Sequence, residues 1–217
     1  MVDVPINAST VIGDNLDLNK REEIMIRVFN KFEPMPTEFI EVDTTSRGSF
    51  KDLSPFFLGP VNIPTERTCC KRMENLWQYS KVYPQYNDSN NSPSSAYFEW
   101  RKEGFNKDRA TRYPMGKGVK PLYSYWLGEK LDYIEARKKI YIPHYTYLVL
   151  RTKSYVKLYN WVCSGYNIGL RDFDGYDHVK RGMSLQNVVN TKRPMGHAFI
   201  IYGLLTGEIK TGGNYEG

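Results

Sequence analysis

The 217-residue chain has few cysteines and histidines, three of each, and no long apolar run. No stretch approaches the roughly 18 consecutive apolar residues of a membrane helix, so a membrane-spanning protein is not expected. The opening "MVDVPINAST" lacks a basic segment followed by an apolar one, so no secretory signal is expected either. Cys69 and Cys70 are adjacent and Cys163 stands alone. That pattern contains neither a CxxC pair nor a zinc spacing, and it points to free thiols in a reducing, cytoplasmic compartment. His144, His178 and His197 form no ligand spacing, so no metal is implied. His197, in "GHAFII", reads as a helix-start or core histidine. The phosphate-binding frame GxxxxGK[ST] is also missing, and there is no internal repeat.

What is abundant is aromatic and basic. Aromatic residues make up 14% of the chain, with 17 Tyr and 4 Trp, and the net charge is +6. That charge suits a phosphate-bearing partner, although solubility alone also accounts for it. The hydrophobic share of 41% suits a globular domain with a real core.

Periodicity and punctuation predict a mostly α (α+β) chain with a few short strands. Residues 19–32 read as a helix from their length and Glu/Arg/Lys content, ended by the prolines of "EPMP". "TEFIEVDTT" (37–45) alternates as a strand, and "SPFFLGPVNIP" (54–64) reads as an ordered loop. A helix is expected over 70–84, stopped by Pro84, followed by a linker or mobile loop in "YNDSNNSPSS" and a short helix over 94–105. The longest helical pattern runs over 124–150, with Pro143 as a kink. Residues 155–178 read as helix, glycine turn, strand and loop. "SLQNVVN" and "GHAFIIYGLLTGEI" read as two further helices.

Within "RMENLWQYSKVY" (72–83), Glu74 and Lys81 are seven positions apart. On a continuous helix that is about 700°, some 20° short of two turns, with an axial separation of about 10.5 Å. Gln78 lies between them, and Trp77 borders the stripe. Such a stripe is ordinarily a solvated face. Residues 101–120 carry seven Lys/Arg against two acidic residues. Their "GKG" can bring backbone N–H groups and an ammonium onto a phosphate, and the interleaved Phe105 and Tyr113 suit base stacking. Asp172 and Asp174 alternate in "LRDFDG". As a strand they share a face and are candidates for acid–base work; as a turn they simply precede Gly175.

The ordered set "LSPFFLGPV" (53–61), Glu74 and Lys81 in "MENLWQYSK", "GKGVKP" (116–121) and "YWLGEKLDYIEARKKIYIPHY" (125–145) resembles the NADAR proteins, helical N-glycosidases linked to ADP-ribose and other N-ribosides. Over residues 44–208 the chain also resembles an uncharacterised phage and bacterial family related to it. That second resemblance is carried by the Glu-x-x-Trp-Gln-x-x-Lys-Val helix, "GLRDFDG" and "GHAF". The chain departs from the NADAR pattern by about fifty leading residues, by the "YNDSNNSPSS" insertion, and by "GLRDFDGYDH" where that family has a Gly-rich segment. The last change touches a substrate-binding part.

The resemblance implies an N-terminal extension over 1–45 packed on a compact helical NADAR-like domain over 46–210, and a tail over 211–217. It implies cofactor-free, metal-free cleavage of an N-riboside, such as ADP-ribose on a nucleobase of DNA, in a phage countering a host defence from the host cytoplasm. Lys81 would be the nucleophile, with Glu74 binding the ribose hydroxyls or shuttling protons; Asp172 and Asp174 join them as acid–base candidates on their alternation alone. Phe56, Trp77, Gln78, Gly116, Lys117, Gly118, Lys120 and Trp126 would bind ligand. Glu74, Trp77, Lys81 and the 116–118 loop would then line one cleft. The other expectations are a catalytically inactive nucleotide- or nucleic-acid-binding module, and a phage protein that binds a host factor.

Overall fold

A computed structural model describes residues 24–210. In chain order its strands and helices are β1 (Ile26–Asn30), β2 (Ile40–Asp43), β3 (Val61–Ile63), β4 (Thr68–Cys70), α1 (Met73–Tyr79), β5 (Lys81–Val82), α2 (Ser95–Phe105), β6 (Tyr123–Trp126) and β7 (Glu129–Leu131). There follow α3 (Tyr133–Ala136), a π-helical stretch (Arg137–Tyr141), α4 (Ile142–Val149), α5 (Lys153–Cys163), β8 (Ile168–Asp172), α6 (Leu185–Val189) and α7 (Ala198–Leu205). About 36% of the described residues are helical and about 17% are strand. The expectation of a mostly helical domain is therefore corrected: the fold is mixed α+β, with three small sheets.

Two of the misread segments show why. Ile26 and Val28 are buried and pair in parallel with β8, where the sequence suggested a helix. Ile and Val favour a pleated surface, and this segment finds one. The Lys, Arg and Glu of 20–23 that favoured a helix lie outside the described residues. In 124–150, the two residues Leu127 (φ 48°) and Gly128 (φ 86°) close a hairpin between β6 and β7. A tight hairpin needs positive φ at both positions, which glycine adopts freely. The helix starts only at Tyr133, behind an Asp132/Glu135 capping box. Ahead of Pro143, which has no N–H to donate, the chain opens into the π stretch.

β8 is the centre of a parallel three-stranded sheet in the order β1–β8–β2, with Val28, Leu170 and Val42 in register. Residues 24–45, assigned by the resemblance to an extension, thus supply both outer strands. α7 packs against β1, β8, α4 and α5. Ala198, Phe199, Ile200 and Ile201 are fully buried, as expected of a helix that is apolar all round. Each of the three larger side chains contributes about 1.5–3 kcal/mol by leaving water. The 86–95 segment is a closed loop: Asn87 pairs with Pro93, and the Asp88 carboxylate accepts from the N–H groups of Asn90 and Ser92. Among the described residues, no helix is long and apolar enough to cross a membrane.

Candidate functional site

Helix α1 carries the polar stripe and is built to be buried. The Leu58 and Pro55 carbonyls accept the otherwise unpaired N–H groups of Met73 and Glu74, so the "SPFFL" loop acts as the helix's cap. That contact also fixes Phe56 beside Glu74. Met73, Leu76 and Tyr79 are buried, and the Tyr97 hydroxyl of α2 reaches the carbonyls of Tyr79 and Ser80 at 3.2 and 3.1 Å.

The helix stops at Tyr79, two residues short of the Lys81 that a continuous helix would carry. Ser80 Oγ donates to the Leu76 carbonyl, and the Ser80 carbonyl accepts from Tyr125 N, so the chain turns into β5. Lys81 is therefore a strand residue paired with Ser124, not a member of α1. It still meets the stripe. Gln78 Nε2 donates to Glu74 Oε1 at 2.8 Å, and Lys81 Nζ donates to Gln78 Oε1 at 2.8 Å. The ammonium also lies 4.9 Å from the Trp77 ring centre. A carboxyl, an amide and an amine thus form one chain, with the amide holding the two charges apart.

This chain lines a cleft of about 660 Å³. Phe56 and Trp77 line it, with Tyr133 and Tyr141 beside the Trp77 ring. A second part of the lining is Asp172, Asp174 and His197. Asp172 ends β8 and is buried. Its carboxylate accepts from Asp174 N at 3.1 Å and Ala198 N at 3.2 Å, and it lies 3.0 Å from His197 Nδ1. The other ring nitrogen of His197 faces the Thr44 carbonyl at 2.8 Å. His197 precedes α7 directly, so its reading as a helix-start histidine holds, yet it also lines the cleft. Gly196 permits this packing: a Cβ there would stand 2.3 Å from Asp172 Oδ2. Asp172 and Asp174 are both strand end and turn, since Gly175 N donates back to the Asp172 carbonyl.

Electrostatics sharpen the arrangement. Burial pushes the Glu74 carboxyl up from its ordinary value, against the opposing hydrogen bond from Gln78. Burial brings the Lys81 amine down to about 8, with the Glu74 charge opposing. Asp174 is raised by burial and then by the neighbouring Asp172 charge, with Arg112, 4.0 Å away, pulling it back.

Several residues of this cleft carried no motif. Arg137 is buried, and its guanidinium donates to the carbonyls of Val188, Val189, Thr191 and Arg193, which fixes the chain leading to Gly196 and His197. The 45–47 turn and Arg112 also enter from elements distant in sequence. The capping box before α3, which aims Tyr133 into the cleft, was the one local signal available.

Other predicted ligand residues lie elsewhere. Gly116, Lys117, Gly118 and Lys120 are exposed and do not line the cleft; Arg112 and Tyr113, earlier in the same basic segment, do. Trp126 is buried under Arg101 and against His144, as part of the core. Among the described residues, no group of three or more His, Cys, Asp or Glu side chains could hold a metal ion. Burial pushes the Cys70 thiol up to about 12, away from a reactive thiolate. No curated protein and no solved structure matches the chain. Residues 20–201 match the family described as "Family of unknown function (DUF6939)", a span that takes in both parts of the cleft lining, and the chain belongs to that family.

Proposed function

We propose that the cleft cleaves the N-glycosidic bond of a phosphorylated N-riboside, with ADP-ribose on a nucleobase of DNA as the preferred substrate. The observation that carries this reading is the Glu74–Gln78–Lys81 hydrogen-bonded chain lining one cavity together with Asp172 and Asp174. With its pKa brought down to about 8, roughly a tenth of the Lys81 amine is neutral at pH 7 without any partner to deprotonate it.

The neutral amine attacks C1′ as the C1′–N bond breaks, and the leaving nitrogen takes a proton. Glu74, raised by burial, supplies that proton through the cleft. Opening of the ribose ring converts the adduct to a Schiff base on Lys81. Water then adds to the C1′ carbon, Asp174 accepts its proton, and release of the sugar aldehyde restores the amine; loss of that proton from Asp174 to solvent and uptake of one by Glu74 return both carboxyls to their starting states. Trp77, Tyr133 and Phe56 give a stacking surface for the base, and Arg47 and Arg112 are the cleft cations available to phosphate.

The test is incubation with an ADP-ribosylated oligonucleotide in the presence of borohydride, followed by mass measurement of the protein. The expected result is a reduced sugar adduct on Lys81. Absence of the adduct together with absence of turnover on any N-riboside overturns the reading and leaves a nucleotide-binding module.

A further inference from the structure

The mouth of the cleft carries aromatic rings that the single-nucleotide reading does not use. Phe32 is 81% exposed, Phe173 is 42% exposed and Tyr113 is 48% exposed. Phe32 meets Phe173 edge to face, with ring centres 5.9 Å apart. The Arg112 guanidinium lies 5.8 Å from the Phe173 ring and 5.3 Å from the Tyr113 ring. The four side chains therefore form one continuous row. Phe173, Arg112 and Tyr113 also line the cleft, whereas Phe32 stands beyond it.

A lone exposed phenylalanine needs no explanation. This row differs because the backbone that carries its most exposed member is tied down by hydrogen bonds. The Asn30 side chain donates to the Phe173 carbonyl at 2.9 Å and accepts from Phe32 N at 3.1 Å, so one amide ties both rings' backbones. The Arg171 guanidinium donates to the carbonyls of Asn30, Lys31 and Glu33, and Lys31 N donates to the Asp172 carbonyl. The turn that presents Phe32 to water is thus anchored on the same strand end that carries Asp172. A surface ordered in advance loses little entropy on binding.

Flat aromatic faces interleaved with a guanidinium are the surface on which unpaired bases stack, and every base has such a face. The chain's net charge of +6, with seven Lys/Arg in the segment that supplies Arg112 and Tyr113, complements a polyanion.

We propose that Phe32, Phe173, Arg112 and Tyr113 form a stacking platform for a base that flanks the nucleotide held in the cleft, so that the substrate is a single strand of nucleic acid. This rests on the proposed function for the identity of the cleft occupant. A duplex is excluded from the platform because its bases are already stacked on their neighbours.

The experiment is fluorescence anisotropy with a labelled, unmodified single-stranded oligodeoxynucleotide and its duplex, comparing wild type with Phe32→Ala. Phe32 stands outside the cleft and meets its lining only through the rim ring of Phe173, and its exposure keeps the fold out of the comparison. Wild type is expected to bind the single strand more tightly than the duplex. Phe32→Ala is expected to weaken single-strand binding about fivefold or more, the lower end of one lost stacking contact. The slope of affinity against salt should stay the same, since no charge is removed. Affinity for free ADP-ribose should also be unchanged. Equal binding of the single strand by wild type and Phe32→Ala overturns the platform, as does equal binding of duplex and single strand. The probe carries no cleavable N-riboside, so failure here is separate from failure to trap the Lys81 adduct.

Discussion

Two polar stretches of this chain look alike as sequence and end in opposite environments. "MENLWQYSK" and "GKGVK" each combine charge with a neighbouring aromatic or glycine, and each suggested a ligand contact. In the fold the first is buried on a cleft wall and the second lies in water. The difference comes from their neighbours. Met73, Leu76 and Tyr79 alternate with the polar stripe and drive α1 into the core, carrying Glu74 and Gln78 inside with it. Around Gly116 and Gly118 there is no apolar periodicity to bury: Gly118 has no atom near its would-be Cβ, and Gly116 only the Val119 side chain at 3.7 Å.

The sharpest way to break this comparison is at Lys81. Lys81→Arg should abolish turnover and borohydride trapping while the circular dichroism spectrum stays native, because arginine keeps the charge but cannot deprotonate near neutral pH. Lys81→Ala should be no worse. Retention of most activity by Lys81→Arg would reduce the lysine to a cation and end the nucleophile mechanism.

At Glu74, Glu74→Gln should lower turnover by about 10²–10⁴-fold, the range for a lost proton donor. It should also change stability with a definite sign. The folded-state pKa of Glu74 is raised, so its contribution is full below the unfolded carboxylate value and is lost as pH rises through the folded one. The variant's Tm should therefore exceed that of wild type at pH 8 and converge with it in acid, as scanning calorimetry at several pH values can check.

For the wild type, kcat/KM should follow a bell against pH, because the Lys81 amine must be neutral while Glu74 keeps its proton, with one limb near 8 from Lys81. A rising limb centred near the free-lysine value instead would place the amine in water and erase the contrast between the two stretches.

Gly196→Ala tests the second part of the lining. The added methyl must displace the Asp172 carboxylate, which should cost about 1–3 kcal/mol in denaturant unfolding. The smallest effect is expected at the exposed loop. Lys117→Ala and Lys120→Ala should stay within about 0.5 kcal/mol of wild-type stability and leave free ADP-ribose affinity unchanged. A large loss of affinity there would bring the glycine loop back to the ligand.

Local chemistry along the chain determines a good part of the outcome. The helices over Ser95–Phe105 and Lys153–Cys163, the strand over Ile168–Asp172 and the buried Ala198–Leu205 helix follow from periodicity, caps and turns. So does the i, i+4 contact of Glu74 with Gln78. Pairing partners decide the rest. Ile26–Asn30 is a strand because β8 is there to receive it, and Lys81 leaves its helix because Ser124 offers a sheet. The Asp172–His197 contact joins residues 25 positions apart, and the Asn30 amide that steadies the cleft mouth reaches Phe173 across 143. A residue's sequence neighbours set its local preference, but burial and long-range hydrogen bonds require the distant segments to be in place. Those segments alone turn a polar stripe into a buried carboxyl and a poised amine.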